Sequence, residues 1–154
     1  MVRSAHSLFV YLLAAVLFIN YIDRGAMPTA GPMMLTDLHL SNTQFGFLIS
    51  AFSWTYVFFQ IPVGWLAERY GAHRILAAGL IVWSSATLLI GLSSAFTALF
   101  ALRLLLGIGE STGFPSVSKL LAAAVPTQSL GTANGIVGFA YLFGPAVGIF
   151  SAAC

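Results

Sequence analysis

Runs of about twenty apolar residues, separated by short polar, glycine or proline breaks, dominate this sequence, and a run of that length is what an α-helix needs to cross a bilayer. Five such runs can be drawn, over residues 7–30, 43–67, 75–92, 96–124 and 132–154. A water-soluble surface has no material to be built from, because charged residues make up 6% of the chain against roughly 25% in ordinary soluble domains. The expected fold is an all-α integral membrane bundle of about five transmembrane helices, with the lipid bilayer as its first partner. The same scarcity of charge leaves no basic patch for nucleic acid. Cys154 is the one cysteine, so no internal disulfide forms, and no cysteine and histidine cluster has the spacing of a metal site. No cofactor is expected.

The opening MVRSAHS and the apolar stretch after it resemble the start of a secretory signal. The run outlasts an h-region and lacks a clear small-x-small cleavage site, so it is read as the first span. Ser41 and Asn42 are candidate N-caps for the second run. ERYGAHR, residues 68–74, is a charged turn before the third, SSA at 93–95 a tight connection before the fourth, and VPTQSLG at 125–131 a loop before the fifth. Basic residues mark the cytoplasmic side. Arg3, Arg69 and Arg74 lie before the first span and after the second, and the segment from 31 to 42 has no Lys or Arg, so the amino terminus is expected inside. Lys119 then lies at the cytoplasmic end of the fourth run, where it can snorkel.

Against this apolar background, NYIDRG at residues 20–25 places Asp23 and Arg24 inside the first run, and the fourth carries Arg103 and Glu110. An ionisable residue within a span costs at least ~2.5–3.5 kcal/mol on insertion scales, and such residues mark functional sites by default. Arg103 and Glu110 are seven residues apart, close to two helical turns, which puts them on one face about 10 Å apart along the axis. Gly107 between them leaves a gap that would give a ligand room. Asn20 is three and four residues from Asp23 and Arg24 and can border both. Simple charge compensation, Asp23 with Arg103 or Arg24 with Glu110, is the structural alternative. Buried pairs are a weak stability device, however, because desolvation can exceed the Coulomb gain.

Gln60, in the middle of the second run, is read as cavity lining or as a helix–helix hydrogen-bonding group. In GWLAERYGAHR, Gly64 permits close helix approach, Glu68, Arg69 and Arg74 can form interhelical charge contacts, and Gly71 permits a turn with positive φ. A solvated loop obeying the positive-inside rule is the other reading. Trp54, Tyr56 and Trp65 are interfacial anchors or cavity lining. His6, His39 and His73 are read as inert. Gly107, Gly109, Gly113, Gly135, Gly138, Gly144 and Gly148 are packing positions, and Gly144-Pro145 also weakens the fifth helix and allows bending.

Taken together, these stretches resemble the major facilitator superfamily. GWLAERYGAHR is similar to its loop signature between the second and third helices, with Glu68 where Asp is usual and His73 where a basic residue is common. LRLLLGIGE, residues 102–110, resembles the fourth-helix signature R-x-x-x-G-x-G, and GPAVG, residues 144–148, the fifth-helix glycine-proline motif. NYIDRG with GIGESTGFP narrows the resemblance to the anion:cation symporter branch, which includes sialin and bacterial permeases for galactonate, glucarate, hexuronates and phthalate. TQSLGTANG departs from the family's P-x-E-R-G-R-A pattern, with Leu130 and Thr132 where arginines are expected.

The resemblance implies proton-coupled symport of a small organic anion, such as a sugar acid, by alternating access between two six-helix halves, and no enzyme activity. Asp23 and Glu110 would couple protons, and Glu110 would also touch the substrate. Arg24 and Arg103, with Asn20 and Gln60, would bind the anion. Gly64, Glu68, Arg69, Gly71, Arg74, Gly144 and Pro145 would serve conformational gating. It also implies a multi-pass protein of a bacterial inner membrane, incomplete without a carboxyl-terminal half. The competing readings are a transport-inactive membrane fragment and an intramembrane enzyme. For the enzyme no serine and histidine pair, metal set or acid dyad appears on adjacent turns.

Overall fold

A computed structural model describes residues 2–152, so Cys154 lies outside the described residues. Among them the regular structure is entirely helical: α1 Val2–Asp37, α2 Asn42–Tyr70, α3 Ala72–Gly91, α4 Phe96–Glu110, α5 Gly113–Ala124 and α6 Thr127–Ala152. Four stretches are long and apolar enough to cross a membrane, Ser7–Asp37, Asn42–Tyr70, Ala72–Gly91 and Thr127–Ser151. Helices suit lipid because every backbone polar group within a span must be satisfied internally.

The helices run further than the glycine and proline breaks suggest. α1 continues through Pro28, Gly31 and Pro32 to Asp37, so only residues 38–41 separate it from α2. Each proline withholds one N–H, and two threonines nearby fold their hydroxyls back onto helix carbonyls. Thr29 Oγ1 donates to the Gly25 carbonyl at 3.2 Å, and Thr36 Oγ1 to the Pro32 carbonyl at 3.1 Å. α2 then starts on a capping box: the Gln44 N–H donates to Ser41 Oγ at 3.2 Å and the Ser41 N–H to Gln44 Oε1 at 2.9 Å. Ser41, and not Asn42, is therefore the cap. Gly71 alone separates α2 from α3, at φ 95 and ψ 126, a conformation that L side chains rarely adopt.

The expected fourth run, 96–124, is two helices. α4 ends at Glu110, residues 111–112 form a turn, and α5 begins at Gly113. Pro115 has no N–H to offer the Ser111 carbonyl. Ser111 Oγ and Thr112 Oγ1 turn back instead onto the Ile108 and Gly109 carbonyls at 2.7 and 2.8 Å. α6 starts at Thr127, five residues before the expected boundary of 132, and passes through Pro145 without interruption.

The chain forms two compact units, one of residues 1–30 with 117–154, the other of residues 31–116. In the second, α4 packs against both α2 and α3. The α3 residues Ala72, Leu76, Gly79, Trp83 and Ala86 are buried at alternating spacings of four and three, a single helical seam. Small residues bring the backbones together, as membrane helix packing requires: a Cβ on Gly109 would meet the Trp83 nitrogen at 2.8 Å, and one on Gly79 the Thr112 Cβ at 2.7 Å. In the first unit, α1 and α6 meet through Gly25, Gly144 and Gly148. A Cβ on Gly25 would come within 2.8 Å of the Pro145 carbonyl carbon.

Outward-facing positions carry large apolar side chains such as Phe58, Ile61, Leu92 and Phe150, whereas Asn20, Arg103, Glu110, Ser111, Thr112 and Ser116 are buried. This reverses the arrangement of a soluble domain. It is what a bilayer solvent demands.

Candidate functional site

In the first unit, one stretch of α1 carries Asn20, Tyr21, Asp23 and Arg24. Asn20 is 1% exposed, and its Nδ2 has no hydrogen-bond partner. Asp23 and Arg24 are half-buried. The Arg24 guanidinium lies 4.3 Å from the centroid of the Tyr21 ring, a cation–π distance. Tyr21 in turn meets the edge of Tyr141 on α6, with ring centroids 4.4 Å apart and planes at 67°. On its other side, a Cβ on Gly144 would reach Tyr21 Cβ at 2.7 Å and the Phe18 carbonyl oxygen at 2.9 Å. The glycine is what lets α6 approach this closely.

In the second unit, α4 buries Arg103 at 8% and Glu110 at 1% exposure along with Leu99, Leu106 and Gly107. The seven-residue spacing thus places both charged groups on the helix's inner face. The room expected at Gly107 is not there: a Cβ would meet the Phe52 carbonyl oxygen at 2.5 Å and the Tyr56 nitrogen at 3.1 Å, because α2 fills that space. Glu110 is the last residue of α4, directly before the turn at 111–112. Gln60, on α2, is half-buried.

At the junction of α2 and α3, Glu68, Arg69, His73 and Arg74 are exposed. Arg69 lies over two rings of its own helix, 5.3 Å from Trp65 and 5.7 Å from Tyr70. Gly71 adopts the positive φ expected of it. Gly64 makes no close helix approach, since a Cβ there would meet nothing within 4 Å, and the same holds for Gly135 and Gly138. Close packing instead uses Gly107, Gly109, Gly144 and Gly148.

Two features escaped the sequence reading. The Tyr21–Tyr141 pair joins residues remote in sequence, and no periodicity marks it. Ser116 is fully buried with no hydrogen-bond partner for its hydroxyl; its signal was the polar cluster S-T-G-F-P-S, residues 111–116, inside an otherwise apolar run. A cavity of about 560 Å³ in the first unit is lined by residues including Ser7, Tyr11, Gln128, Ser129 and Thr132, and it contains none of the expected site residues.

Comparison with known proteins agrees with this arrangement of membrane helices. The chain is 40% identical over 146 residues to the "Probable galactarate/D-glucarate transporter GudP" of Escherichia coli (strain K12), an alignment covering 91% of this chain and 32% of that protein. It is 32% identical over 151 residues to the "Hexuronate transporter" of Bacillus subtilis (strain 168), covering 95% and 35%. The crystal structure of a bacterial homologue of the human lysosomal transporter Spinster, inward-facing and unoccupied, matches with a TM-score of 0.84 at 28% identity, over 96% of this chain and 30% of that one. The chain thus spans about a third of the length of these relatives. The sequence profile of the Major Facilitator Superfamily matches residues 13–153. This chain, an integral multi-pass membrane protein, belongs to the major facilitator superfamily of transporters.

Proposed function

We propose that the chain contributes to proton-coupled symport of a small organic anion, a sugar acid such as glucarate or galactarate, by alternating access. The observation that carries the reading is α4, a helix of a membrane transporter that buries an arginine and a glutamate on one face. Intramembrane ionisable groups are costly, and their usual return is a substrate or proton pathway. The sugar acids named for the relatives supply the substrate class. Their carboxylates match guanidinium groups, which bind them through paired hydrogen bonds.

In this reading Arg24 and Arg103 are the anion-binding cations. Asn20 adds a donor: a buried amide N–H without a partner costs about 1–3 kcal/mol, and a substrate oxygen would satisfy it. Gln60 adds a further polar contact. Asp23 and Glu110 exchange the coupled protons, since a carboxyl group alternates between donor and acceptor states. Glu110 also contacts substrate, and the interrupted backbone after it gives this part of the fourth span freedom that a continuous helix lacks.

Gating is assigned to the α2–α3 junction, with Glu68, Arg69, Gly71 and Arg74, and to Gly144-Pro145 in α6. Gly64, where an added Cβ would meet nothing within 4 Å, completes this set. The amino terminus and residues 69–74 face the cytoplasm, and the complete transporter supplies a second helical half.

Uptake of labelled D-glucarate and galactarate by the full-length gene product in vesicles tests the proposal. Concentrative uptake under an inward proton gradient, abolished by an uncoupler, is the expected result. Uptake indifferent to the uncoupler and to the gradient would refute proton coupling, and absence of uptake for either acid would refute the substrate class.

A further inference from the structure

From the contacts between α1 and α6 we infer that Tyr141 is a positioning residue for the anion site: through Tyr21 it fixes the Arg24 guanidinium in the pose that binds a carboxylate. The inference rests on the proposed role of Arg24 as an anion-binding group.

Three contacts within the first unit carry it. The guanidinium stands 4.3 Å from the Tyr21 ring centroid. An arginine side chain has many rotamers, and binding strength depends on how few of them remain to be lost. Tyr21 is therefore the surface that selects among them. Tyr21 is itself held from two sides by α6: the Tyr141 ring stands across it with centroids 4.4 Å apart and planes at 67°, and the backbone at Gly144 comes close enough that an added Cβ would sit 2.7 Å from Tyr21 Cβ. The ring has little freedom to turn without displacing α6. Tyr21 is buried, whereas Tyr141 is 42% exposed, so the pair runs from an enclosed ring to a more accessible one.

The same stretch of α6 holds its weakest backbone. Pro145 lies four residues after Tyr141 and has no N–H to donate to the Tyr141 carbonyl. A bend of α6 at this point shifts Tyr141 relative to the rest of the helix, and with it the surface against which Arg24 rests. Tyr141 thus ties the pose of an anion-binding group to the shape of α6.

Kinetics of labelled D-glucarate uptake by the full-length transporter test this, with each variant's abundance in the membrane measured alongside. Arg24→Gln is the reference and should raise KM. Tyr141→Leu and Tyr141→Met, which remove the ring edge, should each raise KM roughly three- to tenfold, the range that loss of cation–π geometry carries, with the maximal rate per transporter molecule held within about twofold. Two removals of different shape keep the test alive if one variant fails to reach the membrane. Tyr141→Phe keeps the ring edge and should restore most of the affinity. In the Arg24→Gln background, Tyr141→Leu should add no further rise in KM, because the tyrosine acts through the arginine.

If Arg24→Gln leaves KM unchanged, the functional reading of Arg24 falls, and this inference with it. If Arg24→Gln raises KM and neither Tyr141 variant does, the positioning role alone is overturned. An equal rise for Tyr141→Leu with and without Arg24 also overturns it, since Tyr141 would then act independently.

Discussion

Arg24 and Arg103 are the arginines that fall inside the apolar runs of the sequence, and their surroundings differ. Arg24 is half-buried and rests on an aromatic ring, in a unit whose α6 carries a proline at mid-helix. Arg103 is buried on α4, which is locked to α2 and α3 by glycine contacts at backbone distance. Both helices are closely packed, α1 against α6 through Gly25, Gly144 and Gly148, and α4 against α2 and α3 through Gly107 and Gly109. One chemistry, a guanidinium and a carboxylate in a membrane helix, is thus set once half-buried against an aromatic ring and once buried between helices. We read the half-buried arginine as the one that an entering anion meets first.

The sharpest test of this division compares the two acids. Glu110→Gln should abolish both proton-driven accumulation and substrate exchange, because the role proposed for Glu110 includes contact with substrate as well as with protons. Asp23→Asn should abolish accumulation and leave exchange, which needs no net proton movement. An amide cannot titrate in the relevant range. If both acids served only to neutralise arginines, either change would instead leave a buried cation unpaired at about 3–5 kcal/mol and deplete the folded protein. Membrane abundance, accumulation and exchange measured on the same vesicles separate these outcomes.

Next in size is the effect of glycine contacts. Gly107→Ala forces a Cβ against the α2 backbone and should cost about 1–3 kcal/mol, as overpacking does. Gly64→Ala, on an open face, should stay within about 0.5 kcal/mol. Thermal unfolding in detergent distinguishes them, and equal midpoints would remove the claim that Gly107 is what lets α4 pack against α2.

Smaller still is the change expected at the junction of α2 and α3. Arg69 packs over Trp65 and Tyr70, and Arg69→Gln should lower the maximal transport rate severalfold, in line with the roughly 0.5–2 kcal/mol of a cation–π contact, with affinity unchanged. A loss of affinity at normal maximal rate would argue against gating.

The all-helical membrane fold, the positive φ at Gly71, the connection at 93–95 and the charged residues inside the apolar runs could be read from the sequence, because hydropathy and charge act locally and strongly in lipid. Helix ends were harder. Gly31-Pro32 reads as a stop signal, yet α1 continues through it to Asp37. The break after Glu110 is the converse case: its polar residues were few enough to be absorbed into a long apolar run, yet Pro115 together with two hydroxyls that bond backward suffices to end α4. Packing partners were not legible. Nothing in the sequence tells Gly107, whose space α2 fills, from Gly64, whose face is open, and Tyr141 joins the site only through a tertiary contact. The charged groups announced themselves by their cost in lipid, and the aromatic pair beneath Arg24 did not.

The central claim, that organic anion and proton move together through Asp23 and Glu110, is tested most directly by recording internal pH in weakly buffered vesicles containing the full-length transporter when D-glucarate is added outside. Acidification of the lumen should follow glucarate entry and disappear in folded Asp23→Asn. Glucarate entry without acidification, or undiminished acidification in that variant, would contradict it.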